Sequence, residues 1–260
     1  MGMELPGKKA VLLQDLRRQL RAWDRAGGTP AGKHTVLPFG VPALDAPWPD
    51  NGLPLGTLHE AAGDNGPAGF VAASAFMASI AGRLKGTVLW CGRGNLLYPP
   101  ALAALGLDPA RLLMVRARND KDVLAVVEEG LRHGALACVV GEIERLDLTS
   151  SRRLILACEK SGATALVVRK PPRDGTANRG VVTAIAAASR WRVRAAPSSP
   201  HVIASAGRPR WQLDLLRSHY GTTGSWIVEA PDAQGYLHLP ALLADRSPAE
   251  TDEARRRRAG

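Results

Sequence analysis

Cysteine is scarce. Cys91, Cys138 and Cys158 are the three in the chain, each inside an apolar run and none at metal-ligand spacing. That argues against a disulfide framework or a cysteine-based metal site, and for buried thiols in a reducing compartment. No run of about 18 apolar residues occurs, so no membrane-spanning helix and no membrane partner are expected. The opening residues, MGMELPGKKAVLLQDLRRQL, lack an apolar core followed by small residues. No signal peptide is expected, and the reading is a cytoplasmic protein. Aromatics are few, 5% of residues, although six of them are Trp. Acid is also short: 24 Asp and Glu stand against 34 Lys and Arg, a net charge of +10. Such a balance points to an acidic partner, nucleic acid before an anionic surface. The shortage is local. Between Ala165 and Tyr220 ten cations stand against two acids, Asp174 and Asp214. Clustering of this kind favours a binding face over background composition.

What is present is an ordinary globular balance, 45% hydrophobic and 22% charged over 260 residues. That is enough for one large domain or two small ones. Residues 9–26 place Leu12, Leu16, Leu20 and Trp23 on one stripe of an amphipathic helix. The stripe must cover either its own domain or a neighbouring chain, as a partner or oligomer helix. Residues 27–56 are rich in Pro and Gly, with a turn of helix at VPALD. Strand-like runs then appear at 57–62, 87–91, 112–116, 136–141 and 163–169. Helix-like runs lie between them at 70–84, about 97–105, 119–132 and 149–161. This alternation predicts an α/β fold whose parallel sheet is covered on both faces. From about residue 190, SRWRVRAA, RWQLDLLRS and SWIVEAPD read as antiparallel strands added at one sheet edge. The charged end DRSPAETDEARRRRAG reads as a disordered tail. The expected divisions are 1–35 (helix and linker), 36–245 (core) and 246–260 (tail).

The segment LPFGVPALDAPWPDNGLPLGTLHEAAGDNGPAG, residues 37–69, resembles the lead-in to RecA-type ATPase cores. There a motif G-x-x-x-L-D…GG-L-P-x-G…E-x-x-G runs from a turn of helix into the first strand and the P-loop. Gly40, Leu44, Asp45, Gly52, Leu53, Pro54, Gly56, Glu60 and Gly63 match it. Further on, RWQLDLLRSHYGTTGSWIVEA and LHLPALLADR are similar to the ImuA family, sometimes grouped with the cell-division inhibitor SulA. The resemblance spans about 36–245. It implies a RecA-like fold and a role in damage-induced (SOS) mutagenic translesion DNA synthesis, as an accessory to ImuB and an error-prone replicative-type DNA polymerase. Contact with RecA, self-association and contact with single-stranded DNA are further expectations of that setting.

The chemistry of such a core needs a P-loop lysine, a following hydroxyl for Mg²⁺, a carboxylate ending a central strand and a glutamate that orients water. The turn GDNGPAGFV supplies Gly63, Gly66 and Gly69. The lysine position falls on Gly69 or Phe70, and the hydroxyl position on Phe70 or Val71. The water-orienting position falls near Arg93, a cation. The strand-end carboxylate survives as Glu142, which reads more plainly as a solvated strand-end acid with Arg93 as its candidate partner. The expectation is a pseudo-ATPase with no cofactor, metal or catalytic residue. Backbone N–H groups at the helix start still leave weak ATP binding open.

Binding is expected elsewhere. In RecA-type recombinases the loop after the strand ATALVVR contacts single-stranded DNA. Here it begins Lys170-Pro-Pro-Arg173, and Arg169, Lys170, Arg173 and Arg179 are the candidate phosphate contacts. In SRWRVRAA, with Trp191 and Val193 facing inward, Arg190, Arg192 and Arg194 share the other face and await DNA or an acidic protein. Trp191, Trp211 and Trp226 are expected as core anchors. The reading is a non-catalytic adaptor. Its alternatives are a SulA-like inhibitor of a filament-forming protein and an atypical DNA-dependent ATPase.

Overall fold

The computed structural model describes residues 36–64, 67–94, 97–171, 185–197, 208–220 and 223–240, together with 11–13, 15, 16 and 19 near the N-terminus. Chain order begins with β1 (Val36–Leu37), α1 (Pro42–Asp45) and β2 (Leu53–Pro54). It continues with β3 (Leu58–Gly63), α2 (Pro67–Arg83), β4 (Thr87–Arg93), α3 (Pro99–Ala103) and β5 (Leu112–Ala117). Then come α4 (Asp120–His133), β6 (Leu136–Ile143), α5 (Leu148–Ser161) and β7 (Thr164–Arg169). Three strands follow: β8 (Ser189–Ala196), β9 (Arg210–Ser218) and β10 (Gly224–Glu229).

The main sheet has eight strands in the order β10-β9-β8-β3-β7-β6-β4-β5. The predicted α/β class is what is seen: a mostly parallel sheet flanked by helices, with antiparallel strands near the C-terminus. One assignment needs correction. SRWRVRAA is not an antiparallel addition, because β8 runs parallel to β3 with Glu60 opposite Arg190. The antiparallel pairings of this sheet are β8 with β9 and β9 with β10. The short β1–β2 pair is a second, two-stranded sheet that the Pro- and Gly-rich sequence concealed.

Local chemistry explains the elements. All eight residues of β6 are buried, as a central strand covered on both faces requires. Helix α4 is capped by Asn119, whose side chain accepts from Asp122 N at 2.9 Å. Helix α5 is capped by Asp147, which accepts from Ser150 N at 2.7 Å. Each cap satisfies a first-turn N–H that has no partner inside the helix. Helix α2 opens on Pro67 and is packed with small residues, so it lies close to the sheet.

The sheet divides two apolar cores. Beneath α2 lie Phe39, Trp48, Phe76, Trp90, Trp191 and Trp211. Trp191 is the hub, with ring centroids of Phe76, Phe39, Trp48 and Trp226 at 5.3, 5.8, 5.9 and 6.2 Å. Trp191 and Trp211 are buried, and Trp226 packs on this core partly exposed. Beneath α4 and α5 lie Leu58, Leu89, Val126, Leu154 and also Leu16. Leu12 packs against the same core partly buried, so Leu12 and Leu16 are covered within their own domain. Leu20, Trp23 and the tail 246–260 lie outside the described residues. All three cysteines are buried free thiols. Burial pushes the Cys91 and Cys158 thiols up to about 12, and that of Cys138 up as well. No described helix is long and apolar enough to cross a membrane.

Candidate functional site

The lead-in motif forms a lock. Asp45 is buried and accepts from Phe39 N at 2.6 Å and from Gly40 N at 3.0 Å. Gly40 sits at φ +80°, where a side chain would be strained. Leu44 is wholly buried in the first core. These matched residues hold α1 against the sheet.

The turn between β3 and α2 closes backbone on backbone. A Cβ added at Gly69 would lie 2.4 Å from Asp64 O and 2.6 Å from Asp64 N. A Cβ at Gly63 would lie 2.0 Å from the Gly69 carbonyl carbon. Neither position has room for a side chain to start. Phe70 packs against the first core instead of facing a phosphate. Gly66 lies outside the described residues.

A cation does reach this place, from a different strand. Lys170 follows β7 and turns inward, over the Phe70 ring at 5.2 Å. Its Nζ donates to Arg93 O at 2.8 Å and lies 2.8 Å from Glu142 Oε2. Glu142 is 1% exposed, and its other oxygen accepts from Trp90 Nε1 at 2.9 Å. Gly92 leaves space for this carboxylate, since a Cβ there would come 2.5 Å from Glu142 Oε2. Glu142 is therefore buried and not the solvated acid expected, and its expected pair with Arg93 does not form. Successive strand residues point to opposite faces, and Arg93 falls on the face away from Glu142. There it meets Asp120 Oδ1 at 3.0 Å and Glu144 Oε2 at 2.8 Å.

The opposite face of β3, β7 and β8 carries a second ion cluster. Glu60 is 5% exposed at its side chain and joins Arg190 at 2.6 Å and Arg169 at 3.4 Å, across three neighbouring strands. Burial pulls the Arg169 guanidinium down from its ordinary value, against the opposing pull of Glu60. Arg190, Arg192 and Arg194 alternate with buried Trp191 and Val193 as the sequence predicts. Arg194, however, pairs with Asp214 at 2.8 Å, and Asp214 also accepts from Ser225 Oγ at 2.7 Å. Among the described residues Arg192 makes no ion pair.

Most of these expected cations are engaged within the chain. Arg169, Lys170, Arg190 and Arg194 each hold a carboxylate of their own chain, and charge counting along the sequence could not see partners on other strands. Arg173 and Arg179 lie outside the described residues.

Two features escaped the sequence reading. One is Lys170 as the counter-ion of Glu142. The other is His59, fully buried, with Nδ1 2.7 Å from Ser189 Oγ and Nε2 2.7 Å from Pro54 O. Trp191 Nε1 donates to the same Ser189 oxygen at 3.0 Å. Burial lowers the His59 pKa to about 4, so the ring is neutral. Alternation along β3 does place His59 on the face of Trp191, but nothing in the string marks Ser189 as its partner.

Chemically, the strand-end edge offers an anion already neutralised from within. A Mg²⁺ ion approaching Glu142 would have to displace Lys170 and break the Trp90 bond. Among the described residues no three His, Cys, Asp or Glu side chains gather as a metal site.

No family model matches the chain. It is 38% identical over 234 residues to Protein ImuA of Caulobacter vibrioides, covering 85% of this chain and 95% of the relative. The ImuA protein of a second strain of that species aligns with the same figures. An identity of that size over nearly the whole relative places this chain in the ImuA family.

Proposed function

We propose that this protein is a non-catalytic, RecA-like accessory factor in damage-induced mutagenic translesion synthesis, acting as an adaptor between ImuB, an error-prone polymerase and damaged DNA. Membership of the ImuA family supports the setting. The Glu142–Lys170 pair supports the absence of catalysis, because phosphoryl transfer depends on positioned charge. At this edge the carboxylate and the nearby cation neutralise each other, and the P-loop turn holds Gly69 and Phe70. Single-stranded DNA is assigned to Arg192, with Arg173 and Arg179 joining it on charge alone.

The test is capture of ImuB from the same genome by the full chain, with and without ATP. It is run at low salt and at about 0.5 M salt, where exposed charge pairs are screened. The expected result is retention of ImuB at both salt concentrations without nucleotide. Failure to capture ImuB under every condition would move the filament-inhibitor reading to first place. Capture only with ATP would restore a nucleotide-dependent role.

A further inference from the structure

Away from the strand-end edge, α4 and α5 pack side by side on the second core, and the furrow between them is open. Two adjoining hollows of about 220 and about 480 Å³ share Arg153 as a wall. The first is lined by Lys121, Leu124 and Glu128, the second by Arg132, Leu156 and Lys160. The apolar part is unusually bare, with Leu156 64% exposed on the middle of α5. The charges are unbalanced. Glu128 is the one acid lining either hollow, and it is claimed twice, by Arg132 at 2.6 Å and Arg153 at 2.5 Å. Both arginines remain 59% exposed. Lys121 and Lys160 hold no carboxylate among the described residues.

Two helices with an apolar floor and basic rims form the kind of groove into which an amphipathic helix lays its apolar face. Four cations against one acid select an acidic occupant. Leu124 in one hollow and exposed Leu156 in the other select protein over nucleic acid, because unpaired bases bind by stacking on aromatic rings and neither lining has one. We propose that the α4–α5 furrow is a docking site for an acidic amphipathic helix of a partner protein, with its apolar stripe on Leu124 and Leu156 and its carboxylates on Lys121, Lys160 and the two arginines. The proposal does not rest on the ImuB reading, and neither falls with the other.

The test uses the full chain and a fluorescein-labelled synthetic helix of about 18 residues, five turns, made of Leu at helical spacing and Glu elsewhere. Fluorescence anisotropy reports binding, and circular dichroism checks that each variant is folded. Saturable binding is expected. It should weaken about tenfold or more in Leu156→Asp and in the double variant Lys121→Glu with Lys160→Glu, as for an anchor residue and its rim. A scrambled peptide of equal composition should bind far less. The proposal is overturned by absent binding, by equal binding of the scrambled peptide, or by folded variants that bind as well as the parent. It is also overturned if oligothymidine binds the furrow in a lysine-dependent way and the peptide does not.

Discussion

Glu142 and Lys170 are a coupled pair in a nearly dry place, with the carboxylate 1% exposed and its partner 18%. Removing one member leaves the other charged and stranded, which typically costs about 3–5 kcal/mol, whereas replacing both by neutral groups of similar shape costs far less. Lys170→Met alone should therefore lose roughly 3 kcal/mol or more, and Lys170→Met with Glu142→Gln should recover most of that loss. Urea denaturation of the two single variants and the double variant measures the coupling. His59 gives a different signature. Its folded pKa of about 4 lies below the ordinary 6.5, so the folded state takes up a proton less readily than the unfolded chain. The stability it contributes is complete above pH 6.5 and is lost as pH falls from 6.5 towards 4, by roughly 3 kcal/mol in all. Urea midpoints between pH 7 and pH 4 should fall more steeply for the parent than for His59→Gln. Identical slopes would mean that His59 contributes nothing to acid sensitivity.

At the scale of elements, the order of strands and helices was legible because hydrophobic runs and their caps are local. The lead-in motif was legible for the same reason: Gly40, Leu44 and Asp45 act within six residues of one another. Strand β8 was misplaced because its alternation imitates an edge strand. It lies inside the sheet, but one face carries arginines neutralised by Glu60 and Asp214, where a helix would otherwise bring apolar cover. Pairing across strands is a long-range property, and the sequence could not show that Lys170 reaches Glu142. The turn after β3 makes its own prediction. Gly69→Lys puts a Cβ 2.4 Å from Asp64 O, so this substitution should lower the thermal midpoint and should not create ATP turnover. A stable Gly69→Lys protein that hydrolyses ATP would contradict the geometry given for the turn.

At the scale of the whole molecule, the net charge of +10 describes the surface less well than the pairing does. The described cations of β7 and β8 are mostly neutralised within the sheet, and a basic furrow with an apolar floor lies instead on the helical layer. We propose that this α/β frame is used for its surfaces and not for turnover. The central claim is that the strand-end edge is closed by the protein's own lysine and turns over no nucleotide. The most direct measurement is phosphate release from ATP by the purified full chain, with and without single-stranded DNA, beside Glu142→Gln. The account predicts no release above the buffer background and no difference between the two proteins. Release that rises with DNA and disappears in a Glu142→Gln protein that circular dichroism shows to be folded would contradict it and make Glu142 a working catalytic carboxylate.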